Sequence, residues 1–157
     1  ISDSSGNAAS EIDVLSGMTI NAIVEVREPL KDTDVSVLVA NARDTPVTSS
    51  NLSHSLHGEV SAFQPGDYHI QMEIPGNFLV PDLYKISIAC NVRGSRNEHS
   101  LEQAISFTVV ETGSNLAAHR DSWRLGCVLN NFPWSCNRIQ PAASADETSA
   151  TAKQARL

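Results

Sequence analysis

The sequence predicts an all-β protein built as an antiparallel β-sandwich. Three observations carry this. Apolar residues recur every second position through five segments, turn-forming clusters separate those segments, and no stretch shows three turns of amphipathic helix.

Taken in order, TINAIVEVRE places Ile20, Ala22, Val24 and Val26 on one face, with Asn21, Glu25 and Arg27 opposite. DVSVLVANA places Val35, Val37 and Val39 together, with Ser36, Leu38 and Ala40 turned away. YHIQMEI alternates Tyr68, Ile70, Met72 and Ile74 with His69, Gln71 and Glu73. YKISIAC carries Tyr84, Ile86, Ile88 and Cys90 as its apolar stripe, and AISFTVVE carries Ile105, Phe107 and Val109. Successive side chains of a strand face opposite ways, so each segment reads as a half-buried strand. Between them stand SSGN, LSGM, NARDTP, QPGD, IPGN, VPD and RGSRN, rich in residues that favour turns. The polar segment 48–57, TSSNLSHSLH, reads as a loop.

Two strands open alike: PGDYHI from Pro65 and PDLYKI from Pro81. Proline suits a strand entrance, where its missing N–H costs nothing, and the tyrosine can bury its ring while its hydroxyl finds a partner. Residues 1–136 read as one sandwich domain, and 137–157, rich in Ala, Ser and Thr, as a disordered tail too poor in large apolar side chains to order itself. The first residue is Ile, so the chain reads as a fragment or a processed product.

The net charge of −7 argues against a nucleic-acid partner and against an anionic membrane surface, both of which reward basic patches. No apolar run reaches the roughly 20 residues of a membrane span. Cys90, Cys127 and Cys136 are too few for a disulfide framework and read as thiols, Cys90 closing an apolar stripe. No phosphate loop, dinucleotide fingerprint or nucleophile elbow occurs, and no carboxylate pair is singled out for glycoside hydrolysis. His54 and His57 form an H-x-x-H without further ligands at workable spacing, so they read as exposed loop histidines. No cofactor and no metal is expected.

The pieces occur in an order that resembles the C-terminal carbohydrate-binding domain of Wzt-type proteins, the nucleotide-binding subunits of ABC transporters that export lipopolysaccharide O-antigen. They are ISDSSGN with VLSGMTINAIVEV, VSVLVANARDTPV, FQPGDYHIQMEIPGNFLVPDLYKISIACNV, AISFTVVETG and RLGCVLNNFPWS, spanning about residues 1–135. The resemblance implies an immunoglobulin-like sandwich that dimerises by exchanging its last strand, about 124–130. It implies a non-catalytic module that recognises the modified non-reducing end of a finished O-antigen chain. It implies a cytoplasmic setting at the inner face of the inner membrane, alongside a permease subunit and an ATPase domain elsewhere in the parent. An alternative is a structural or adhesive immunoglobulin-like domain of a bacterial surface protein, which would favour a Cys127–Cys136 disulfide.

In an immunoglobulin-like sheet the strands bearing Ser36, Ser87 and Ser106 would adjoin, giving a floor of small side chains. Lys85, Asn91, Arg93, Glu102 and Arg43 would rim it, which suits a saccharide's directional hydrogen bonds, and the cations would favour a phosphate or carboxylate on its end. The candidate binding residues are therefore Lys85, Ser87, Asn91, Arg93, Ser106, Ser36 and Arg43. His69, Gln71 and Trp123 are secondary candidates. Leu125, Cys127, Leu129 and Trp134 are candidates for the dimer seam.

Overall fold

Strands with one apolar face bury it most simply when two sheets stack, apolar faces inward. The computed structural model takes that form; it describes residues 1–55, 61–92, 97–114, 126–129 and 133–136, without the side chains of 61, 97 and 98. In chain order the strands are β1 (Ser2–Asp3), β2 (Glu11–Asp13), β3 (Met18–Val26), β4 (Leu30–Asn41), β5 (Pro46–Asn51), β6 (Ser61–Phe63), β7 (Gly66–Ile74), β8 (Asp82–Val92) and β9 (Asn97–Val110), with a helical turn α1 (Leu52–Ser55) after β5. One sheet runs β1-β3-β7, and the other β2-β9-β8-β4-β5 with β6 against β4. Neighbours pair antiparallel, except that β2 runs parallel to the end of β9. The predicted all-β sandwich is thus the observed one, with a single parallel contact among the described pairs that alternation does not announce. The tail from residue 137 lies outside the described residues, as do Arg93, Trp123, Leu125 and His57.

Segment 48–57 departs from the loop expected of it. Residues up to Asn51 complete β5, and Leu52–Ser55 form α1. β5 lies at a sheet edge, so backbone pairing with β4 holds it and no apolar stripe is required. The carboxylate of Asp34 on β4 fixes the turn, accepting the Ser53 N–H at 3.0 Å and the Ser53 hydroxyl at 2.6 Å.

The inward side chains form two clusters. The larger gathers Ile12, Met18, Ile20, Val37, Val39, Ile74, Tyr84, Ile86, Phe107 and Val109. The smaller gathers Val26, Val35 and Phe63, with Tyr68 and Ile70 against it, and Ile88 touches both. Each Pro–Tyr repeat anchors one cluster. Tyr84 is fully buried, stacks on Phe107 with centroids 5.5 Å apart, and donates its hydroxyl to the Val80 carbonyl at 2.8 Å. Tyr68 meets Phe63 edge-on at 4.9 Å; its hydroxyl donates to the Gln64 carbonyl at 2.8 Å and accepts the Gln64 N–H at 2.9 Å. In both, the hydroxyl reaches back to the residue before the proline, closing a tyrosine corner of the kind found in immunoglobulin-like sandwiches. Burial pushes the Tyr84 phenol pKa well up, with the nearby Asp82 and Cys127 adding to it, so the group stays a neutral donor.

The β2–β9 junction is tied by carboxylates. Asp13 accepts the Thr112 hydroxyl and the Leu15 N–H, and Glu111 accepts the Ser114 hydroxyl and the N–H groups of Gly113 and Ser114. The side-chain hydroxyls, with help from the backbone donors, hold Asp13 below its ordinary 3.8 and Glu111 below its ordinary 4.5.

Two expectations follow. Tyr84→Phe leaves a buried carbonyl unpaired and costs about 1–3 kcal/mol, against about 0.5–1.5 for Tyr68→Phe at its half-exposed site, read as urea midpoints at unchanged slope. Depressed carboxylate pKa values stabilise the fold above the unfolded values and lose that contribution as pH falls, so stability should be flat from neutrality down to about pH 5 and decline below 4.5. The double variant Asp13→Asn, Glu111→Gln should show a shallower decline in the same titration.

Candidate functional site

The outer face of the larger sheet is set by the same alternation that builds the core. With Val35, Val37 and Val39 inward, Ser36, Leu38 and Ala40 of β4 must point out; with Tyr84 and Ile86 inward, Lys85, Ser87, Ala89 and Asn91 of β8 follow. Antiparallel register sets Ser36 opposite Ala89, Leu38 opposite Ser87 and Ala40 opposite Lys85. Small side chains on adjoining strands leave a hollow rather than a ridge.

A bulge in β9 walls that hollow. Ile86 pairs with Ile105 but Ile88 with Leu101, so β9 carries two more residues than β8 across the same span, and Gln103 takes a φ of 49°. The Gln103 N–H donates to the Ser87 hydroxyl at 2.9 Å, which brings the bulge against the floor. The result is a concavity of about 430 Å³ lined by Ser36, Leu38, Ala40, Ser87, Ala89 and Asn91, with Asp44, Lys85, Ser100, Glu102 and Gln103 around it.

The Asn41–Pro46 turn supplies the last wall. Asn41 is buried, and its side-chain oxygen accepts the N–H groups of Arg43 and Thr45, each at 3.0 Å. This sends Asp44, with a φ of 60°, over the groove, where its carboxylate accepts Lys85 Nζ at 2.7 Å and Gln103 Nε2 at 3.1 Å. Arg43 stays exposed on the turn and is not among the residues lining the groove. At the other end, Asn91 donates to the Ser36 hydroxyl at 3.0 Å while its own carbonyl oxygen, shielded from solvent, has no hydrogen-bond partner.

The structure therefore brings together five of the residues singled out from sequence: Ser36, Lys85, Ser87, Asn91 and Glu102. Ser106 lies on the same face opposite Lys85, beyond the bulge and outside the groove. Sequence reasoning missed Asp44, Gln103 and Ser100. It also expected a cationic rim. Among the described lining residues Lys85 is the only cation, it is bound by Asp44, and Glu102 adds a second negative charge.

The outer face of the smaller sheet offers less. Asn21 takes up the hydrogen-bonding groups of both secondary candidates there, its oxygen meeting His69 at 3.2 Å and Gln71 at 2.9 Å. A second recess, of about 280 Å³, opens on the flank between β5 and β7 beside the inward residues Val35, Val37, Ile70 and Met72. Among the described residues no group of three or more His, Cys, Asp or Glu could hold a metal ion, and His54 is exposed on α1.

Of the candidates for the dimer seam, Cys127 and Leu129 dock on the end of the sandwich. Val128 bridges to Leu79, the Leu129 N–H donates to the Phe78 carbonyl at 2.8 Å, and Asn41 reaches the Cys127 sulfur at 3.6 Å. Trp134 is 93 % exposed. No disulfide joins any of Cys90, Cys127 and Cys136.

Comparison with known proteins agrees with this architecture. Residues 1–119 match the family model described as the Wzt C-terminal domain. The crystal structure of the C-terminal domain of Wzt superposes with a TM-score of 0.59 at 10 % sequence identity, over 71 % of this chain and 70 % of that one. No curated protein matches by sequence.

Proposed function

This chain belongs to the Wzt C-terminal domain family, and we propose that it is a non-catalytic module that binds the non-reducing end of an O-antigen chain in the groove between β4, β8 and the β9 bulge. The family ties the chain to O-antigen export by ABC transporters, as its ordered sequence pieces imply.

The observation that carries the reading is the groove itself. A volume of about 430 Å³ falls in the range of small-ligand sites. Its floor is small and partly apolar, fitting the C–H face of a pyranose ring, and its walls present hydroxyl, amide, ammonium and carboxylate groups that can meet ring hydroxyls. Recognition of this kind needs no chemical step. A module that binds finished ends more tightly than unfinished ones acts as a checkpoint through the difference in affinity alone.

In this reading the domain works at the cytoplasmic face of the inner membrane, carried by a parent subunit with its own ATPase domain and a permease partner. Among the described residues no helix is long and apolar enough to cross a membrane. The module acts as a homodimer. The strand at about 124–130 is the piece exchanged between protomers, its residues 126–129 seated on the sandwich end by the Leu79–Val128 bridge, the Leu129–Phe78 backbone hydrogen bond and the contacts of Cys127 with Asn41 and Tyr84, and the exposed Trp134 covers the seam.

Ala89→Phe fills the groove floor without removing a hydrogen-bonding side chain. It should weaken binding of the strain's purified O-polysaccharide at least about tenfold by calorimetry with an unchanged circular dichroism spectrum, while Ser106→Phe, outside the groove, should bind as wild type. Undiminished binding by a folded Ala89→Phe protein would place the site elsewhere. A chain ending at Arg120 should sediment as a monomer; a dimer would show that another surface holds the protomers.

A further inference from the structure

We infer that the groove selects an uncharged saccharide end and disfavours a phosphorylated or carboxylated one, an inference that rests on the saccharide reading above. The reason lies in the charges facing the hollow. Asp44 and Glu102 each bring a negative charge to the lining, and Lys85 brings the one positive charge found among the described lining residues. The lining as described is thus net negative by one charge, in a chain whose net charge is −7.

The geometry sharpens the count. Lys85 is not a free cation waiting for an anion: its ammonium sits 2.7 Å from the Asp44 carboxylate. Gln103, an amide of the wall, donates to that same carboxylate at 3.1 Å, so a second donor is engaged as well. The Ser87 hydroxyl accepts the Gln103 N–H, and the Ser36 hydroxyl accepts Asn91 Nδ2 while donating to the Ala89 carbonyl at 3.4 Å. The Asp44 and Glu102 carboxylates that line the same hollow are acceptors only when ionised. A phosphate or carboxylate is acceptor-only when ionised, whereas a sugar hydroxyl donates as well as accepts. The groove thus offers acceptors to a ligand rich in donors, and an anionic end would meet Asp44 and Glu102 at close range with the compensating cation already paired.

Leu38, 37 % exposed at the floor beside Ala40 and Ala89, strengthens the case. An apolar floor accepts the C–H face of a neutral ring but strips water from a charged substituent without replacing it.

The test uses the whole chain and the producing strain's O-polysaccharide in three forms: untreated, dephosphorylated, and with its carboxyl groups reduced to alcohols. Calorimetry should give affinities within about twofold for all three. A matched pair of synthetic oligosaccharides differing only by a terminal phosphate should be separated by about tenfold or more in favour of the neutral member, and the double variant Asp44→Asn, Glu102→Gln should narrow that gap to about threefold or less. Loss of binding after dephosphorylation or carboxyl reduction, or preference for the phosphorylated oligosaccharide, overturns the inference while leaving the saccharide reading intact. No binding of the untreated polysaccharide overturns that reading and this inference with it.

Discussion

The hydrogen bond from the Tyr84 hydroxyl to the Val80 carbonyl, 2.8 Å long and fully buried, is the contact on which the rest of the sandwich is arranged. Tyr84 lies on β8, between β4 and β9, opposite Asn41 on one side and Phe107 on the other. Its hydroxyl fixes the path of the chain into β8, and its 3.5 Å approach to the Cys127 carbonyl links the 126–129 segment to the same point. Val80 lies just outside the strand ladder, and the tyrosine supplies its buried carbonyl with a donor from β8. Tyr68 repeats the device in the smaller cluster, where the hydroxyl serves both backbone groups of Gln64.

That anchoring has a consequence on the opposite face. Once Tyr84 and Ile86 are committed to the core, the parity of the strand sends Lys85, Ser87 and Ala89 outward, and β4 answers with Ala40, Leu38 and Ser36. Core and groove are two sides of one register. A slip of one residue would bury Lys85 and expose Tyr84, so the hydrophobic core that holds the fold also holds the groove floor in place. The floor requires no loop to shape it; the side walls come from a bulge and a turn, which bear few core contacts and leave room for variation.

The electrostatics of the groove are those of a site that compensates its own cation. Pairing Lys85 with Asp44 at the surface contributes little to stability, on the order of 0–1 kcal/mol. In the proposed saccharide site its effect is larger, because it replaces an available positive charge with an engaged pair. Selection in a checkpoint module depends on such differences between ligands rather than on tight binding as such.

Period-two alternation was sufficient to place the inner faces of the major strands, the two proline–tyrosine entrances and the small outward residues Ser36, Ser87 and Ala89, because each follows from local pattern and the cost of exposing aliphatic surface. It did not reveal β5, whose polar residues are held by edge pairing with β4 rather than by burial. It did not reveal the bulge, because two added residues keep the parity of β9, and a single polar Gln103 between Leu101 and Ile105 does not by itself mark an irregularity. Nor did it decide between neighbours in the turn: Arg43 and Asp44 look equally able to reach the groove, and the Asn41 side chain determines that Asp44 does. The sequence by itself determined which side chains face in and which face out, since that is set by solvent. Only the tertiary structure decided which outward groups meet, the Lys85–Asp44 pair above all, since that depends on long-range pairing and on two backbone irregularities that hydrophobicity does not record.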